Sequence, residues 1–375
     1  TQPAVTYSKI TIMRILLIGE YSNVHWTLAC GLRQLGHQVT VLSNGDFWKD
    51  YPRDLSLVRR PGWWGGLCYL MRLCTLLPRL RGYDVVQLIN PMFLELKAER
   101  ILPVYRYLRR HNRRVVLGAF GMDYYWVHEC ITRKPLRYSD FNFGDQVRTD
   151  PEAQVHIDDW IDTAKGRLNQ MIAADCDGIV AGLYEDWVCY HPHFPHKLSF
   201  IPYPIRCDAQ PALHPHDRLK VFIGINRSRS VYKGTDIMLR AAQDVAARHP
   251  EEMTLTVAES LPFDEYVRLL HDQDVLLDQL YSYTPSMNPL EAMAHGVVCV
   301  GGGEPEHYEI LGETQLRPIV NVQPTYESVV EQLEYLVTHP HEVVRLREQS
   351  VDYIHRHHDY IKVARQYEDF YQSLL

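Results

Sequence analysis

The sequence lacks the patterns that mark several common classes of protein. No stretch of its 375 residues reaches the roughly 18 apolar residues that a membrane-spanning helix needs. Its eight cysteines are scattered and form no Cys-x-x-Cys pair, which favours buried free thiols in a reducing compartment over a disulfide framework. Basic residues show no excess, and the formal net charge of −7 argues against a general nucleic-acid-binding protein.

The first twelve residues, TQPAVTYSKITI, have neither the basic start nor the continuous apolar core of a signal peptide. Met13 resembles a natural beginning, which would make the preceding residues a tag remnant or an overlong start. Together with the cysteine pattern, this predicts a cytoplasmic protein.

Two further signatures are missing or carry little weight. The loop after the first predicted strand reads GEYSNVH and not GxGxxG, so a dehydrogenase is disfavoured. Two Asp-x-Asp patterns occur, at 175–177 and 272–274, but both adjoin a predicted strand and are interpreted as incidental. The histidine groups lie in proline-broken or terminal positions without matching ligands. We therefore predict no metal site.

The patterns that are present alternate between strand and helix throughout the chain. Met13–Gly19, a helix from about His25 to Leu35, and Gln38–Ser43 form a first βαβ unit. A polar, proline-bearing stretch at 207–216 is the best linker candidate, and a second βα series follows it. The length suits two domains. The fold class predicted is α/β, with two doubly wound, Rossmann-like parallel-sheet domains.

The predicted boundaries are an N-terminal domain over 13–206 and a C-terminal domain over 207–354. The last helical segment, 355–375, is expected to return to the first domain. The segment 124–159 shows no clear period and is interpreted as an irregular segment used in acceptor binding. Trp63–Leu80 is an amphipathic segment, favoured as a helix packed on the sheet, with a surface that contacts a membrane or a lipid-linked acceptor as the alternative.

The most informative stretch is YSYTPSMNPLEAMAHGVVCVGGGEPE, residues 281–306. It predicts a loop, a short helix over Asn288–His295, an apolar strand and a glycine turn. The amides at a helix N-terminus attract anions. Glu291 follows within about a turn, where its carboxylate is able to accept two neighbouring ribose hydroxyls. An ordinary loop, helix and strand of an α/β domain is the alternative for this stretch taken alone.

Four segments together resemble the glycogen-synthase-like glycosyltransferases of group 1. SMNPLEAMAHGVVCVGGGEPEHYE is similar to that family's PLEAMA segment, and GINRSRSVYKGTDIMLRAA to its GRL-x-x-x-KG-x-D stretch. RILLIGEYSNVHWTLACGLRQLGHQVTVLS resembles its first strand, loop and helix, and FGMDYYW resembles its HG-x-D strand end. The resemblance covers both halves and implies the GT-B architecture, in which two Rossmann-like domains face a central cleft.

The resemblance also implies roles for particular residues. Lys233 and an arginine, either Arg227 or the favoured Arg229, would hold the donor diphosphate. Arg229, Lys233 and Asp123 would be the catalytic residues. Glu291 would bind the ribose. The other residues implied in nucleotide-sugar binding are Gly19, Tyr21, Ser22, Asn23, Tyr283, Ser286, Met287 and Asn288. Tyr283, Ile89 and Phe120 replace polar residues of the family pattern, which leaves the sugar and the anomeric outcome open.

We therefore predict a metal-independent glycosyltransferase of the hexosyltransferase type. Its co-substrate would be a UDP- or GDP-type sugar and its acceptor a glycan or lipid-linked molecule, with retention of configuration. Surface polysaccharide or lipopolysaccharide assembly is the expected setting, with peripheral contact at the inner membrane face as a further expectation. No cofactor is expected. The alternatives are an epimerase or phosphorylase of the same architecture, and a nucleotide- or glycan-binding module without turnover.

Overall fold

The structure, a computed structural model, describes residues 12–208, 211, 213, 216–259 and 261–375. Residues 1–11 and most of 209–215 lie outside the described residues. The interpretation of the N-terminal stretch and part of the predicted linker therefore also lie outside them.

The first lobe is built on a seven-stranded parallel sheet with the order β3-β2-β1-β4-β5-β8-β9. The strands of this sheet are β1 (Arg14–Ile18), β2 (Gln38–Ser43), β3 (Leu55–Ser56), β4 (Val85–Leu88), β5 (Arg114–Ala119), β8 (Gly178–Ala181) and β9 (Leu198–Phe200). A separate hairpin consists of β6 (Asn142–Phe143) and β7 (Gln146–Val147). Its helices are α1 (Val24–Gln34), α2 (Gly62–Leu76), α3 (Ala98–His111), α4 (Tyr124–Thr132), α5 (Pro151–Trp160), α6 (Ala164–Asp175) and α7 (Tyr184–Tyr190).

The second lobe has a five-stranded parallel sheet with the order β11-β10-β12-β13-β14. Its strands are β10 (Leu219–Ile225), β11 (Met253–Glu259), β12 (Val275–Leu277), β13 (Val298–Gly301) and β14 (Val320–Asn321). The helices from there to the C-terminus are α8 (Ser230–Lys233), α9 (Thr235–Arg248), α10 (Phe263–His271), α11 (Met287–Ala294), α12 (Pro305–Leu311), α13 (Tyr326–Thr338), α14 (Pro340–His357) and α15 (Tyr360–Leu374).

The central strands are almost wholly apolar because helices cover both faces of each sheet. Residues 15–18 of β1 and the whole of β13 are buried. Both sheets reverse their strand order beside the first strand of the lobe, and in open α/β sheets the ligand crevice lies at that point, beyond the carboxyl ends of the strands. The predicted α/β fold with two parallel-sheet lobes is confirmed.

The last helix lies against the first lobe. α15 packs on α1, the Tyr371 hydroxyl donates to Gln87 Oε1 at 2.7 Å, and His37 Nε2 lies 2.9 Å from Glu368 Oε1. The predicted boundary at 354/355 falls inside α14, which continues to residue 357. The chain thus passes from the first lobe to the second between β9 and β10, and returns between α14 and α15.

A glycine makes the packing of α15 on α1 possible. A Cβ atom on Gly31 would lie 2.4 Å from the Tyr360 carbonyl oxygen and 2.7 Å from Ala364 Cβ. We expect Gly31→Ala to lower the free energy of unfolding by about 1–3 kcal/mol, because neither contact can yield without moving a helix. Urea denaturation measures the change.

The matched control for that substitution is Gly66→Ala on α2. A Cβ there would meet the Arg59 side chain at an ordinary 3.6 Å. This variant should be neutral or slightly stabilising, since alanine is the better helix former. Equal destabilisation by the two variants would contradict the packing argument.

The segment 124–159, predicted to be irregular, contains two helices, so that prediction is wrong. Asp123 caps α4 by accepting from the Trp126 amide, and Asp150 caps α5 by accepting from the Ala153 amide. α4 and α5 are short, at nine and ten residues, and too few turns are present for an apolar period to emerge. Between them lies the β6–β7 hairpin.

Candidate active site

A cleft of about 680 Å³ lies between the lobes, beyond the carboxyl ends of β10 and β11. The first lobe contributes Ser22 and the segment around Lys49. From the second lobe come Gly224–Ser228, Glu259, and the first two turns of α11. This is the position at which an open α/β sheet binds its ligand.

The N-terminus of α11 presents two free amides to this cleft. Ser286 is the N-cap, and its side chain makes no capping hydrogen bond. The amides of Met287 and Asn288, both of which line the cleft, donate to no other described residue. Pro289 follows and has no amide hydrogen to offer. Together with the helix dipole, the two amides attract negative charge.

Glu291 lies on the same helix and also lines the cleft. Its side chain is half-buried, and burial raises the pKa of its carboxyl, while nearby His295 acts in the opposite direction. The carboxylate accepts no hydrogen bond from a described residue, so both oxygens are available to a ligand. This is the arrangement that binding of a ribose by two hydroxyls requires.

The two candidate arginines are placed differently. Arg227 lines the cleft, and its guanidinium pairs with Glu259, Nη2 lying 3.1 Å from Oε2. This pair is exposed, so a phosphate can compete with Glu259 for the arginine. Arg229 lies outside the lining and stands over the Tyr232 ring at 5.8 Å. Sequence reasoning favoured Arg229, whereas the turn over 227–229 directs Arg227 into the cleft.

Lys233 also lies outside the lining of the cleft. Its ammonium is held 3.2 Å from Asp140 Oδ2 and 3.3 Å from Oδ1, near the buried Asp278. Burial raises the pKa of Asp278 to about 6, although the charge of Lys233 opposes this shift. Glu291 therefore lines the cleft and Lys233 does not, so the two residues do not share this cavity.

Asp140 belongs to a segment of the first lobe, residues 136–148, that reaches across to the second and is here named the bridging segment. Arg137 pairs with Glu304 at 2.7 Å and with Glu306 at 2.5 Å. Arg148 donates to the Tyr232 carbonyl at 3.1 Å and lies over the Tyr281 ring at 4.4 Å. The sequence contains no motif that predicts these contacts. Each strand of the hairpin is two residues long, which is too short to show an alternating pattern.

Tyr283 and Asp123 are both buried, and neither lines the cleft. The Tyr283 hydroxyl accepts from the Arg137 amide at 2.7 Å, and burial raises its pKa to about 12. Asp123 accepts from the Trp126 amide and from the Tyr190 hydroxyl, and burial raises its pKa to about 6. These contacts give Asp123 the role of a helix cap.

The loop after β1 carries the remaining predicted residues. Gly19 has a φ of +88°, and a Cβ there would lie 2.2 Å from Ile89 Cγ2, so no other residue fits. Gly19 and Tyr21 line a smaller cavity of about 100 Å³ in the first lobe. Ser22 lines the main cleft, and Asn23 lines a third cavity that also borders Glu291. The Asn23 Oδ1 atom is buried without a described hydrogen-bond partner.

Glu20 was not identified from the sequence, yet it holds this loop on α1. Its two carboxyl oxygens accept from the amides of His25 and Trp26 at 3.1 and 2.8 Å. Complete burial raises the pKa of this carboxyl to about 8. The only feature of the sequence that could have identified Glu20 was its position as a lone acidic residue after a buried strand. Ordinary loop residues share that position.

Aromatic side chains close the cleft from both lobes. Trp48 and Tyr51 of the first lobe meet Phe263 edge-to-face, with ring centroids 5.8 and 5.5 Å apart. Tyr266, one turn further along α10, accepts a hydrogen bond from the Asn288 side chain at 3.1 Å. The cleft is thus lined by aromatic rings as well as by cationic and amide donors.

One group in the described part of the chain has metal-ligating side chains close together. The ligand atoms of Cys207, His355 and Asp359 lie within 4.8 Å of one another. This group sits where α14 gives way to α15, and none of its members lines the cleft.

Comparison with known proteins places the second lobe in a described family. Residues 226–369 match the sequence profile of the family described as "Glycosyl transferase-like". The matched residues, most of them in the second lobe, resemble a glycosyl transferase-like domain. No protein with a curated description matches by sequence. The family match agrees with the resemblance of the 281–306 and 224–242 stretches.

Solved structures of other proteins share the fold over nearly the whole chain. HepE from Anabaena, in complex with UDP and glucose, has a TM-score of 0.60 at 12% identity, covering 97% of this chain and 100% of its own. Sucrose-phosphate synthase from Thermosynechococcus elongatus has 0.61 at 12%, covering 96% and 99%. UDP-GlcNAc 2-epimerase from Neisseria meningitidis has 0.55 at 11%, covering 96% and 100%.

The glycosyl transferase-like domain thus stands within a complete GT-B architecture. The predictions of the family resemblance, of the GT-B fold and of a glycosyltransferase as the enzyme class are confirmed. Within the described ranges, no helix is both long and apolar enough to cross a bilayer.

Proposed function

We propose that this glycosyltransferase moves a hexosyl group from a UDP-sugar to a hydroxyl of a glycan or lipid-linked acceptor, with retention of configuration. The observation that carries the proposal is the convergence of Arg227, the free amides of α11 and the unpaired Glu291 carboxylate on one cleft between the lobes. A nucleoside diphosphate offers a partner to each of these groups.

In the proposed binding mode, Glu291 accepts from the ribose hydroxyls. The diphosphate lies against the Met287 and Asn288 amides, with Arg227 released from Glu259 to meet it. The aromatic side chains of the cleft take the base by stacking. UDP is the favoured nucleotide because the similar structures of HepE and of the epimerase contain UDP or a UDP-sugar.

In the proposed reaction, the bond between the anomeric carbon and the β-phosphate oxygen breaks as the acceptor oxygen bonds to that carbon. The acceptor hydroxyl proton passes to the departing phosphate, on the same face of the sugar. Negative charge grows on the phosphate oxygens, so Arg227 and the α11 amides stabilise the transition state more than the ground state. Lys49 also lines the cleft, and it contributes once its ammonium leaves Asp46, with which it pairs at 2.7 Å. Closure of the lobes excludes water from the donor.

The first lobe would hold the acceptor, as is expected when the donor contacts lie mainly on the second. No metal or cofactor is part of this proposal, and cationic side chains take the place of a metal at the diphosphate. We propose surface polysaccharide or lipopolysaccharide assembly in the cytoplasm as the setting.

An epimerase acting on a sugar nucleotide is the second candidate, favoured by the full-length likeness to UDP-GlcNAc 2-epimerase. A panel of UDP-, GDP- and ADP-sugars, each with and without sugar acceptors, separates the candidates. Transfer predicts UDP release that depends on the acceptor, whereas epimerisation predicts a changed sugar nucleotide without any acceptor. Binding of UDP with no turnover over the whole panel would support a binding module instead.

The two neighbouring arginines provide a matched pair of variants. We expect Arg227→Ala to weaken UDP binding about 10- to 100-fold, since the variant loses a charge-assisted hydrogen bond to phosphate. Arg229→Ala should change it by less than about threefold, because Arg229 faces Tyr232. Calorimetric titration with UDP and with uridine measures both, and uridine binding should be unaffected. A larger effect of Arg229→Ala would contradict this assignment.

A further inference from the structure

Helix α2 is apolar on two opposite faces. Tyr69, Leu73 and Leu76 are 2–3% exposed and pack in the core of the first lobe. On the other side, Trp63 and Trp64 are 71% and 69% exposed, Met71 53% and Leu67 37%. Positions 64, 67 and 71 follow the helical repeat, so these side chains form one outward stripe. An exposed apolar stripe of this kind is a contact surface for something outside the chain.

The sequence around this stripe is strongly basic, although the whole chain carries a formal net charge of −7. Between Asp54 and Asp84 there is no acidic residue. The same interval contains five arginines, all exposed: Arg59, Arg60, Arg72, Arg79 and Arg81. None of their guanidinium groups pairs with a carboxylate among the described residues. Five unpaired positive charges therefore accompany the apolar stripe.

We propose that α2 docks the protein on the surface of an anionic lipid bilayer. The helix lies parallel to the membrane, Trp63, Trp64, Leu67 and Met71 enter the boundary between headgroups and acyl chains, and the flanking arginines contact lipid phosphates. Tryptophan is the side chain most suited to this depth, because its ring is apolar and its N–H finds polar partners there. Apolar insertion combined with basic charge is the recognised composition of an interfacial helix.

Charge complementarity favours a bilayer over another copy of this chain. Two copies meeting through α2 would bring ten unpaired arginines together, which opposes association. An anionic membrane supplies both the apolar layer and the negative charge that this surface lacks. Binding of α2 to a bilayer does not require a bound sugar nucleotide, so a test of membrane binding is independent of a test of the proposed reaction.

The test uses the full chain and vesicles of phosphatidylcholine alone or with phosphatidylglycerol. Flotation should show binding to the anionic vesicles at least about tenfold stronger than to the neutral ones, weakening as salt increases. Tryptophan fluorescence should shift to the blue and be quenched by brominated lipid. W63S/W64S and R72E/R79E should each lower the affinity at least about tenfold.

The matched controls are R167E/R365E, which reverse two exposed charges elsewhere, and Val344→Ser, which removes an exposed apolar side chain far along the chain. These should bind vesicles as the wild type does, and thermal unfolding should show that all variants fold. Absence of binding to anionic vesicles, or equal losses in the α2 variants and the controls, would overturn the proposal. So would a dimer that W63S/W64S dissociates without any change in vesicle binding.

Discussion

Glu291→Ala is expected to weaken UDP binding about 100-fold or more. The Glu291 carboxylate lines the cleft, is half-buried, and has no hydrogen-bond partner among the described side chains and amides. Two charge-assisted bonds from ribose hydroxyls are worth about 3 kcal/mol or more together, which corresponds to this factor. Isothermal titration with UDP and with 2′-deoxy-UDP measures the effect and assigns it to the ribose.

The wild type should bind UDP more tightly than 2′-deoxy-UDP, and Glu291→Ala should bind the two equally. Glu291→Gln keeps one oxygen acceptor and should fall between them. Glu309→Ala removes an exposed glutamate from α12 and should leave both affinities unchanged. If Glu291→Ala still discriminated between the two nucleotides, the ribose assignment would be wrong.

The second large effect concerns the loop that precedes α11. Glu185, at the start of α7 in the first lobe, is completely buried and accepts hydrogen bonds from the loop of the second lobe. Its Oε1 accepts from the Tyr283 amide at 2.8 Å and the Thr284 amide at 3.0 Å. Its Oε2 accepts from the Thr284 hydroxyl at 2.6 Å, and the Ser282 hydroxyl donates to Oε1 at 3.0 Å.

We expect Glu185→Ala to lower the free energy of unfolding by about 3–5 kcal/mol. The substitution leaves the buried Tyr283 amide without an acceptor, at about 1–3 kcal/mol, and the Thr284 amide with only the Ser282 hydroxyl at 3.3 Å. It also opens a cavity between the lobes. Urea denaturation measures the loss. UDP binding should weaken as well, because the same loop sets the start of α11.

Two further variants separate the hydrogen bonds from the cavity. Glu185→Gln preserves the volume and one carbonyl acceptor, so its loss should be clearly smaller than that of alanine. Thr284→Val removes one donor while the amides keep their partner, and about 1 kcal/mol is expected. A Glu185→Ala protein as stable as the wild type would show that the contact between Glu185 and the loop contributes nothing.

The bridging segment changes how the predicted diphosphate residues should be understood. Lys233 matched a family motif, yet its ammonium is paired with Asp140, which lies 93 positions earlier. A diphosphate would have to displace Asp140 before Lys233 could contribute to binding. At Arg227 a phosphate competes only with the half-buried Glu259, and Arg227 is itself exposed, so it is the more accessible cation.

Local pattern determined much of this protein in advance. Apolar strands alternating with helices specify two parallel-sheet lobes, because that alternation buries both faces of each strand. The PLEAMA stretch specifies a short helix with a free N-terminus and Glu291 within about a turn of its start, because capping, helix propensity and the glycine stop all lie within one segment.

The tertiary structure alone decided which of these residues meet. It placed Arg227 and not Arg229 in the cleft, paired Lys233 with Asp140, and bound the loop before α11 to Glu185. These outcomes depend on contacts between residues about 90 to 170 positions apart and on the direction of a three-residue turn. A local period carries no information about such contacts, because they form only when two separately folded lobes pack together.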